Sequence, residues 1–492
     1  MSKKIIFRAD GDSTTGLGHL YRLFSLVEII KHTYQFVFVV LENSTNSIIP
    51  KEYNKVIIPK EIKTKNEPEW LESNFPSKDY ILIADGYQFT ASYQKKIKQK
   101  GYNLIYIDDL VTEHMYADIV INHSPYLQKD NYQKENYTEL ALGTQFALLR
   151  PLFLEEAKKI KTINTINTAF ICFGGADPFN LSLKALNALL QVKSFKKIHV
   201  VLGGAYKHEE IFNLKENNPS KIQVHRNISE KNLINVMSEC QFAIAPASTI
   251  LYELCCLKMP ILSGYYVENQ KNIYNGLSQK NAIINGGDFR NYKTLDFLRK
   301  IKDFLNNPKI DSYLISQQSL FDSNSKIRIL GLINKLSISF RKAEEEDLLQ
   351  VYNWSNDVLV RQNSYNSDSI SIEKHKIWYL EKIKNKNTLF LIALINNKQA
   401  GIVRFEINKG YSIIGILVSK EFRGQKLASA FLNRSAEKYF ENYDSPILAY
   451  IKKENIASIK SFEKARYTYF KDEIINGITS FVYKLEKHDV IR

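Results

Sequence analysis

Along the first third of the chain, short apolar runs alternate with segments of helical spacing. Residues 5–8, 36–41, 80–84, 104–107 and 118–121 read as strands, and residues 18–32 as a helix. Short strands separated by helices predict a parallel α/β sheet. Pro151 interrupts the pattern. It restarts at 168–173, 198–202, 242–245 and 260–263, which predicts a second α/β lobe of similar size, closed by a polar helical stretch over 300–335. A third pattern begins near Ser337. Strands at 389–395, 401–407, 413–418 and 447–452, with a helix from about Gln425, read as an antiparallel α+β domain. The predicted boundaries are 1–153, 154–335 and 337–488. Two α/β lobes facing each other leave a crevice suited to a ligand.

The composition fits this reading. Of 492 residues, 44% are apolar and 24% charged, the balance of a globular protein with full cores. The formal charge of +15 admits anionic partners. No run of five or more basic residues occurs, and no basic stripe interleaved with aromatics, so nucleic acid is not expected. Solvated lysine faces or small phosphorylated substrates account for the charge. Cys172, Cys240, Cys255 and Cys256 form no CxxC pair and no His/Cys cluster, so neither a metal nor a disulfide framework is expected. No apolar run reaches about 18 residues. The opening strand lacks the charged-then-apolar order of a signal peptide. Membrane insertion is not expected, and a cytoplasmic location is.

The first chemical constellation follows the first strand: Arg8-Ala-Asp10, then Gly16-Leu-Gly18-His19, then Arg22. A glycine-bordered helix start turns its amides and positive dipole end toward an anion. His19 sits in the first turn with Arg22 three residues on, along the same face. A neutral imidazole there can accept a proton from water, and the guanidinium can meet a phosphate. Taken alone, this histidine is as well explained by structure or capping. The second lobe adds Gly174-Gly175 after a strand, and Ser248-Thr249 at a helix start with Glu253 one turn further on. Hydroxyls and helix amides there suit a diphosphate, and a carboxylate suits ribose hydroxyls. Ordinary N-capping is the competing account of Ser248 and Thr249.

Together with Asp85-Gly-Tyr87, Ile107-Asp-Asp109, Leu149-Arg150, Gly174-Gly-Ala-Asp177 and Glu268-Asn269-Gln270, these segments run in order over about residues 1–330. In that combination the N-terminal part resembles the UDP-sugar hydrolases of the pseudaminic acid pathway, relatives of the GT-B glycosyltransferases. The resemblance implies two Rossmann-like lobes. It also implies metal-free, inverting hydrolysis of UDP-2,4-diacetamido-2,4,6-trideoxy-β-L-altropyranose to free sugar and UDP. His19 would activate water, with Tyr87 and Asn269 positioning the reactants. Gly16, Gly18, Arg22, Gly174, Gly175, Ser248, Thr249, Glu253 and Gln270 would hold the UDP-sugar. Where the family often has His before the tyrosine, this chain has Gly86. A glycosyltransferase or hydrolase acting on a related nucleotide sugar, joined to an acetyltransferase for another amino-sugar acceptor, is the alternative on the same scaffold.

The second constellation lies in the third region. The strand ending at Leu417-Val418 leads through Ser-Lys-Glu-Phe into Arg423-Gly424-Gln425-Lys426-Leu427-Ala428 and a helix, a basic turn able to present amides to a pyrophosphate. Asn455 and Ser458 follow, then Phe462. Residues 337–488 resemble the GNAT acetyltransferases. The resemblance implies acetyl-CoA as co-substrate, with its pyrophosphate on the amides of 423–428, its pantetheine along Leu417 and Val418, and its arm near Asn455 and Ser458. Two departures stand out. Lys426 replaces a glycine of the turn, and Phe462 occupies the place of a tyrosine that protonates the leaving thiolate. Tyr467, Tyr469 or water would then supply that proton. Leu349–Asp357, Arg361, Ser364, Ile370-Ser371, His375 and Trp378 follow the pattern of acetyltransferases acting on nucleotide-linked amino sugars. Trp354 and Trp378 also suit a core, and His375 reads as exposed. A chain carrying both parts would acetylate the C4 amine of a UDP-activated amino sugar and then remove UDP, two consecutive steps.

Overall fold

A computed structural model describes residues 2–11 and 17–490. The chain divides into two compact units, one running from Lys3 to Ile329 and the other built from Leu330 onward.

The first unit holds two parallel sheets. In the first, β1 (Lys4–Ala9), β2 (Phe36–Leu41), β3 (Lys55–Ile58), β4 (Tyr80–Asp85), β5 (Asn103–Ile107), β6 (Ile119–Asn122) and β7 (Glu139–Leu142) lie in the order β3-β2-β1-β4-β5-β6-β7. Every neighbouring pair is parallel. The central strands are apolar because helices cover both faces, and Ile5, Ile6, Phe7 and Ile81 to Ala84 are all buried. The chain builds outward from β1 to one edge and then crosses to β4 on its other side. The C-terminal ends of β1 and β4 therefore lie side by side at the reversal of strand order, where such sheets open a crevice.

The second sheet repeats the plan. β8 (Thr168–Ile171), β9 (Lys197–Leu202), β10 (Ile222–Arg226), β11 (Phe242–Pro246), β12 (Ile261–Tyr265) and β13 (Ile284–Asp288) are ordered β10-β9-β8-β11-β12-β13. All pairs are parallel. Its reversal lies between β8 and β11. Gly174 and Gly175 follow β8, and Ser248 follows β11, so both motifs open at the reversal. Both sheets are Rossmann-like.

The second unit is a mixed sheet of β14 (Ile338–Lys342), β15 (Thr388–Ile395), β16 (Lys398–Asn408), β17 (Tyr411–Val418), β18 (Ile447–Lys452), β19 (Thr468–Ile475) and β20 (Ile478–Leu485), ordered β14-β15-β16-β17-β18-β20-β19. Its pairs are antiparallel except β17–β18. Those two pair only at Ser412–Ile447 and Ile413–Leu448. Beyond that point β17 runs to Val418 without β18 beside it.

The stretch 300–335 is broken into the helices Thr294–Asn306, Ile310–Leu320 and Ser325–Leu336. Pro308 and a left-handed Ser323 lie at the breaks. The helix expected from about Gln425 begins at Ala428, because Lys426 is itself left-handed. Among the described residues no helix is long and apolar enough to cross a membrane.

Candidate active sites

In the first unit the helix Gly18–Ile30 starts at the crevice edge, with no side chain among the described residues capping it and no acidic residue in its first turn. His19 and Arg22 are each 7% exposed. Asp85, fully buried, ends β4 beside them. Its Oδ1 lies 2.7 Å from His19 Nδ1 and accepts from Arg22 Nη2 at 2.6 Å, while Oδ2 accepts from Arg22 Nε at 2.9 Å. Arg22 Nη1 reaches Asp109 Oδ1 at 2.6 Å, just past the end of β5. Burial opposes ionisation of Asp109, but the Arg22 guanidinium outweighs it and holds the carboxyl at about 2. All three guanidinium nitrogens are thus engaged with carboxylates.

A carboxylate oxygen 2.7 Å from Nδ1 is favourable only if that nitrogen carries a proton. Nδ1 also lies 2.9 Å from Arg22 Nη2, which can only donate, so a proton on Nδ1 serves the closer carboxylate and a bare lone pair serves the guanidinium; the proton on Nδ1 is the arrangement that hydrolysis would use. Nε2 then keeps its lone pair, the tautomer a proton acceptor needs.

The Tyr87 ring meets His19 edge-on, with centroids 4.9 Å apart. Its hydroxyl accepts from Asn269 Nδ2 at 2.8 Å, and burial followed by Asp109 pushes it up to about 12. Asn269 belongs to the second lobe, in the 3-10 turn after β12. Its Oδ1 is buried without a hydrogen-bond partner among the described residues. His19, Tyr87 and Asn269 are therefore brought into one chain of contacts across the crevice. Close by, Tyr252 of the helix Thr249–Leu257 donates to the His123 carbonyl at 2.9 Å, and the two rings meet edge-on. Gly16 lies outside the described residues; Gly18 is the first residue of its helix.

Ser248 occupies the N-cap position of the helix Thr249–Leu257, in extended geometry, yet its hydroxyl caps nothing. First-turn amides and two hydroxyls are left together, an arrangement suited to an anion. Glu253 is buried one turn on, and its Oε1 accepts from Arg150 Nε and Nη2 at 2.9 and 2.7 Å. Burial pushes its carboxyl upward, against the pull of Arg150. Gly174 and Gly175 form the turn after β8, and Asp177 next to them caps the helix Leu181–Leu190 by accepting from the amides of Leu181 and Ser182 at 2.8 Å. Gln270 Oε1 accepts from the Tyr266 amide at 2.9 Å and shapes the turn that carries Asn269. Gly86 stands at φ +155°, a conformation that explains glycine where the resembling family often has His. Asp85, Asp109 and Arg150 were within the matching motifs, but their partnership becomes visible only in three dimensions.

In the second unit the gap beside β17 leads to the turn 420–427. Arg423 Nε donates to the Val418 carbonyl at 3.1 Å, and Nη1 pairs with Asp357 at 2.8 Å. Gly424 and Lys426 both have positive φ, +79° and +57°. The helix Ala428–Phe440 that follows carries no side-chain cap. Gln425 Oε1 accepts from Asn334 Nδ2 at 2.6 Å, and its Nε2 donates to the Glu421 carbonyl at 3.5 Å. Leu417 and Val418 end β17, and Leu427 is the buried N-cap residue. Asn455 caps the helix Ile456–Lys464 by accepting from the Ser458 amide at 3.1 Å.

Phe462 is buried against Tyr467, whose hydroxyl is also buried and without a partner among the described residues; Tyr469 is exposed and bonds Asp472. Tyr467 is thus a core residue. His375 corrects its sequence reading: it is buried, stacked on Tyr379 and tilted against Trp378. The helix Ile372–Lys384 turns His375 and Tyr379, four apart, inward together. Trp354 and Trp378 are partly buried against the same cluster.

Residues 337–468 match the family model described as the acetyltransferase (GNAT) domain. Over 488 aligned residues, 94% of this chain and 96% of the other, the chain is 26% identical to protein MJ1062 of Methanocaldococcus jannaschii. Over 280 residues, 56% of this chain and 97% of the relative, it is 27% identical to the UDP-2,4-diacetamido-2,4,6-trideoxy-β-L-altropyranose hydrolase of Campylobacter jejuni. A solved structure of the aminoglycoside acetyltransferase AAC(6')-Ib in complex with coenzyme A aligns with 32% of this chain and 98% of its own, at 16% identity and a TM-score of 0.29. The chain thus joins a hydrolase-like unit of sugar metabolism to an acetyltransferase domain. Its N-terminal half resembles the Campylobacter hydrolase, and its C-terminal part is a GNAT domain.

Proposed function

We propose that this chain is a bifunctional enzyme of pseudaminic acid biosynthesis. Its GNAT domain, residues 337–488, transfers acetyl from acetyl-CoA to the C4 amine of a UDP-activated amino sugar. Its two lobes, 1–153 and 154–335, then hydrolyse UDP-2,4-diacetamido-2,4,6-trideoxy-β-L-altropyranose to free sugar and UDP, with inversion and without a metal.

In hydrolysis, Asp85 holds Nδ1–H of His19, so Nε2 takes a proton from water as the oxygen bonds to the anomeric carbon. The bond from that carbon to the diphosphate oxygen breaks, and its electron pair leaves with UDP. The open amides and hydroxyls at Ser248 and Thr249 receive the diphosphate and stabilise its growing charge. Tyr87 and Asn269 hold the sugar, with Asn269 Oδ1 free to accept from it. In acetyl transfer, the amine nitrogen attacks the thioester carbonyl, the C–S bond breaks, and the thiolate takes a proton from water, since Phe462 cannot donate one. The amine proton passes to solvent.

The observation that carries the hydrolytic half is the chain Asp85–His19–Tyr87–Asn269, which spans both lobes. The test incubates purified protein with the UDP-4-amino sugar, with and without acetyl-CoA, and identifies all products by mass. Acetyl-CoA-dependent N-acetylation followed by UDP release is expected. His19→Ala should abolish UDP release and leave acetylation intact. A wild-type protein that neither acetylates the amine nor frees UDP overturns the reading.

A further inference from the structure

The turn 423–428 is strained where the acetyl-CoA reading needs it ordered. Lys426 adopts φ +57°, in the left-handed region that a Cβ disfavours. Lys426 is exposed, but the residue before it is held on both sides. Gln425 Oε1 accepts from Asn334 Nδ2 at 2.6 Å, and Asn334 is fully buried. On the same helix, Ser325–Leu336, a Cβ added at Gly331 would overlap the backbone carbonyl of Gln425. Gly331 and Asn334 are three residues apart and so lie on one helix face. That face meets the turn along its backbone at one residue and along its side chain at the next turn of helix.

We propose that the helical segment entering this unit, through Gly331 and Asn334, is a structural part of the acetyl-CoA site, holding the 423–428 turn in the conformation that presents its amides to the CoA pyrophosphate. Gly331 permits the close approach, and Asn334 fixes the register. Neither touches CoA; both are positioning residues acting through Gln425. The segment precedes residue 337, where the match to the acetyltransferase family begins, so the site depends on chain outside that match. This inference rests on the acetyl-CoA reading of the turn.

The test measures CoA affinity of the full chain by calorimetry, using CoA itself, for wild type, Gly331→Ala and Asn334→Leu, each with and without Lys426→Gly. Gly331→Ala is the leading variant because alanine favours the helix and only the approach of the turn is disturbed. The expected result is a Kd raised about tenfold by Gly331→Ala and by Asn334→Leu, with a clearly smaller loss in the Lys426→Gly background, where the turn no longer has to be held against strain. Far-ultraviolet circular dichroism and urea unfolding separate misfolding from this effect, and a merely structural role would lower stability without a background-dependent change in Kd. An unchanged Kd in a folded Gly331→Ala overturns the inference, as does an equal loss in both backgrounds. A wild-type protein that does not bind CoA overturns the underlying acetyl-CoA reading instead.

Discussion

At His19 the decisive partner is a buried anion rather than the water the imidazole is to activate. Asp85 Oδ1 lies 2.7 Å from His19 Nδ1, and Asp85 accepts from two nitrogens of Arg22, so in the proposed hydrolysis a single carboxylate holds the ring proton on Nδ1 and anchors the cation beside it. Asp85→Asn is close in shape but reverses that instruction: the amide can donate to Nδ1, which leaves the proton on Nε2. UDP release in single-turnover conditions should fall by about a thousandfold, with acetyl transfer unchanged. Hydrolysis at more than a tenth of the wild-type rate would remove Asp85 from this role. Arg22 shows the same logic from the other side. Its place one turn after His19 could be read from spacing, but its engagement by Asp85 and Asp109 could not, because the three residues come from the ends of different strands.

At the scale of elements, the buried central strands were legible and the edges were not. Ile5 to Phe7 and Ile81 to Ile83 form apolar runs because helices cover both faces of the sheet. β3, β7 and β10 escaped the pattern because they are short edge strands with residues partly exposed. β13 escaped because Gly286 and Gly287 interrupt its apolar content. The helix starts at Gly18 and Thr249 were legible from their small residues. That the Ser248 hydroxyl leaves its helix uncapped was not, since a serine at an N-cap position reads the same whether or not it bonds the amides. Where β6 ends, His123 packs against Tyr252 of the helix Thr249–Leu257. Burial, and after it the Arg22 cation, pushes this imidazole down to about 4, against the pull of Asp109 and Asp85. The folded unit therefore holds His123 neutral where an unfolded chain protonates near pH 6.5. The resulting stability is fully present above about pH 6.5 and is lost as pH falls through about 4, amounting to roughly 3 kcal/mol. Asp109, held near 2, keeps its own contribution until lower pH. Urea midpoints measured at pH 7.5 and pH 5 should show the loss, and His123→Leu should reduce it, leaving the share of His199, which burial also pushes down to about 4. An equal pH slope in that variant would assign the effect elsewhere.

For the whole molecule, two separate compact units imply two separable ligand linkages. Each unit has its own buried clusters: those around the two parallel sheets in Lys3–Ile329, and those around the mixed sheet from Leu330 onward. A ligand that binds only the folded form of one unit raises the stability of that unit by RT ln(1 + [L]/Kd), about 2.7 kcal/mol at a hundredfold excess over Kd. UDP should therefore shift the unfolding transition of the first unit, and CoA that of the second. Calorimetric scans of the full chain with each ligand alone test this, and His19→Ala should leave the UDP shift in place, because it removes the proposed proton acceptor and not the proposed diphosphate contacts at Ser248 and Thr249. Absence of any UDP shift would count against a nucleotide site at that helix, whatever the fate of the acetyltransferase. A CoA shift confined to the second transition, and diminished by Gly331→Ala, would locate the co-substrate in the gap beside β17 and tie its binding to the helix that leads into it.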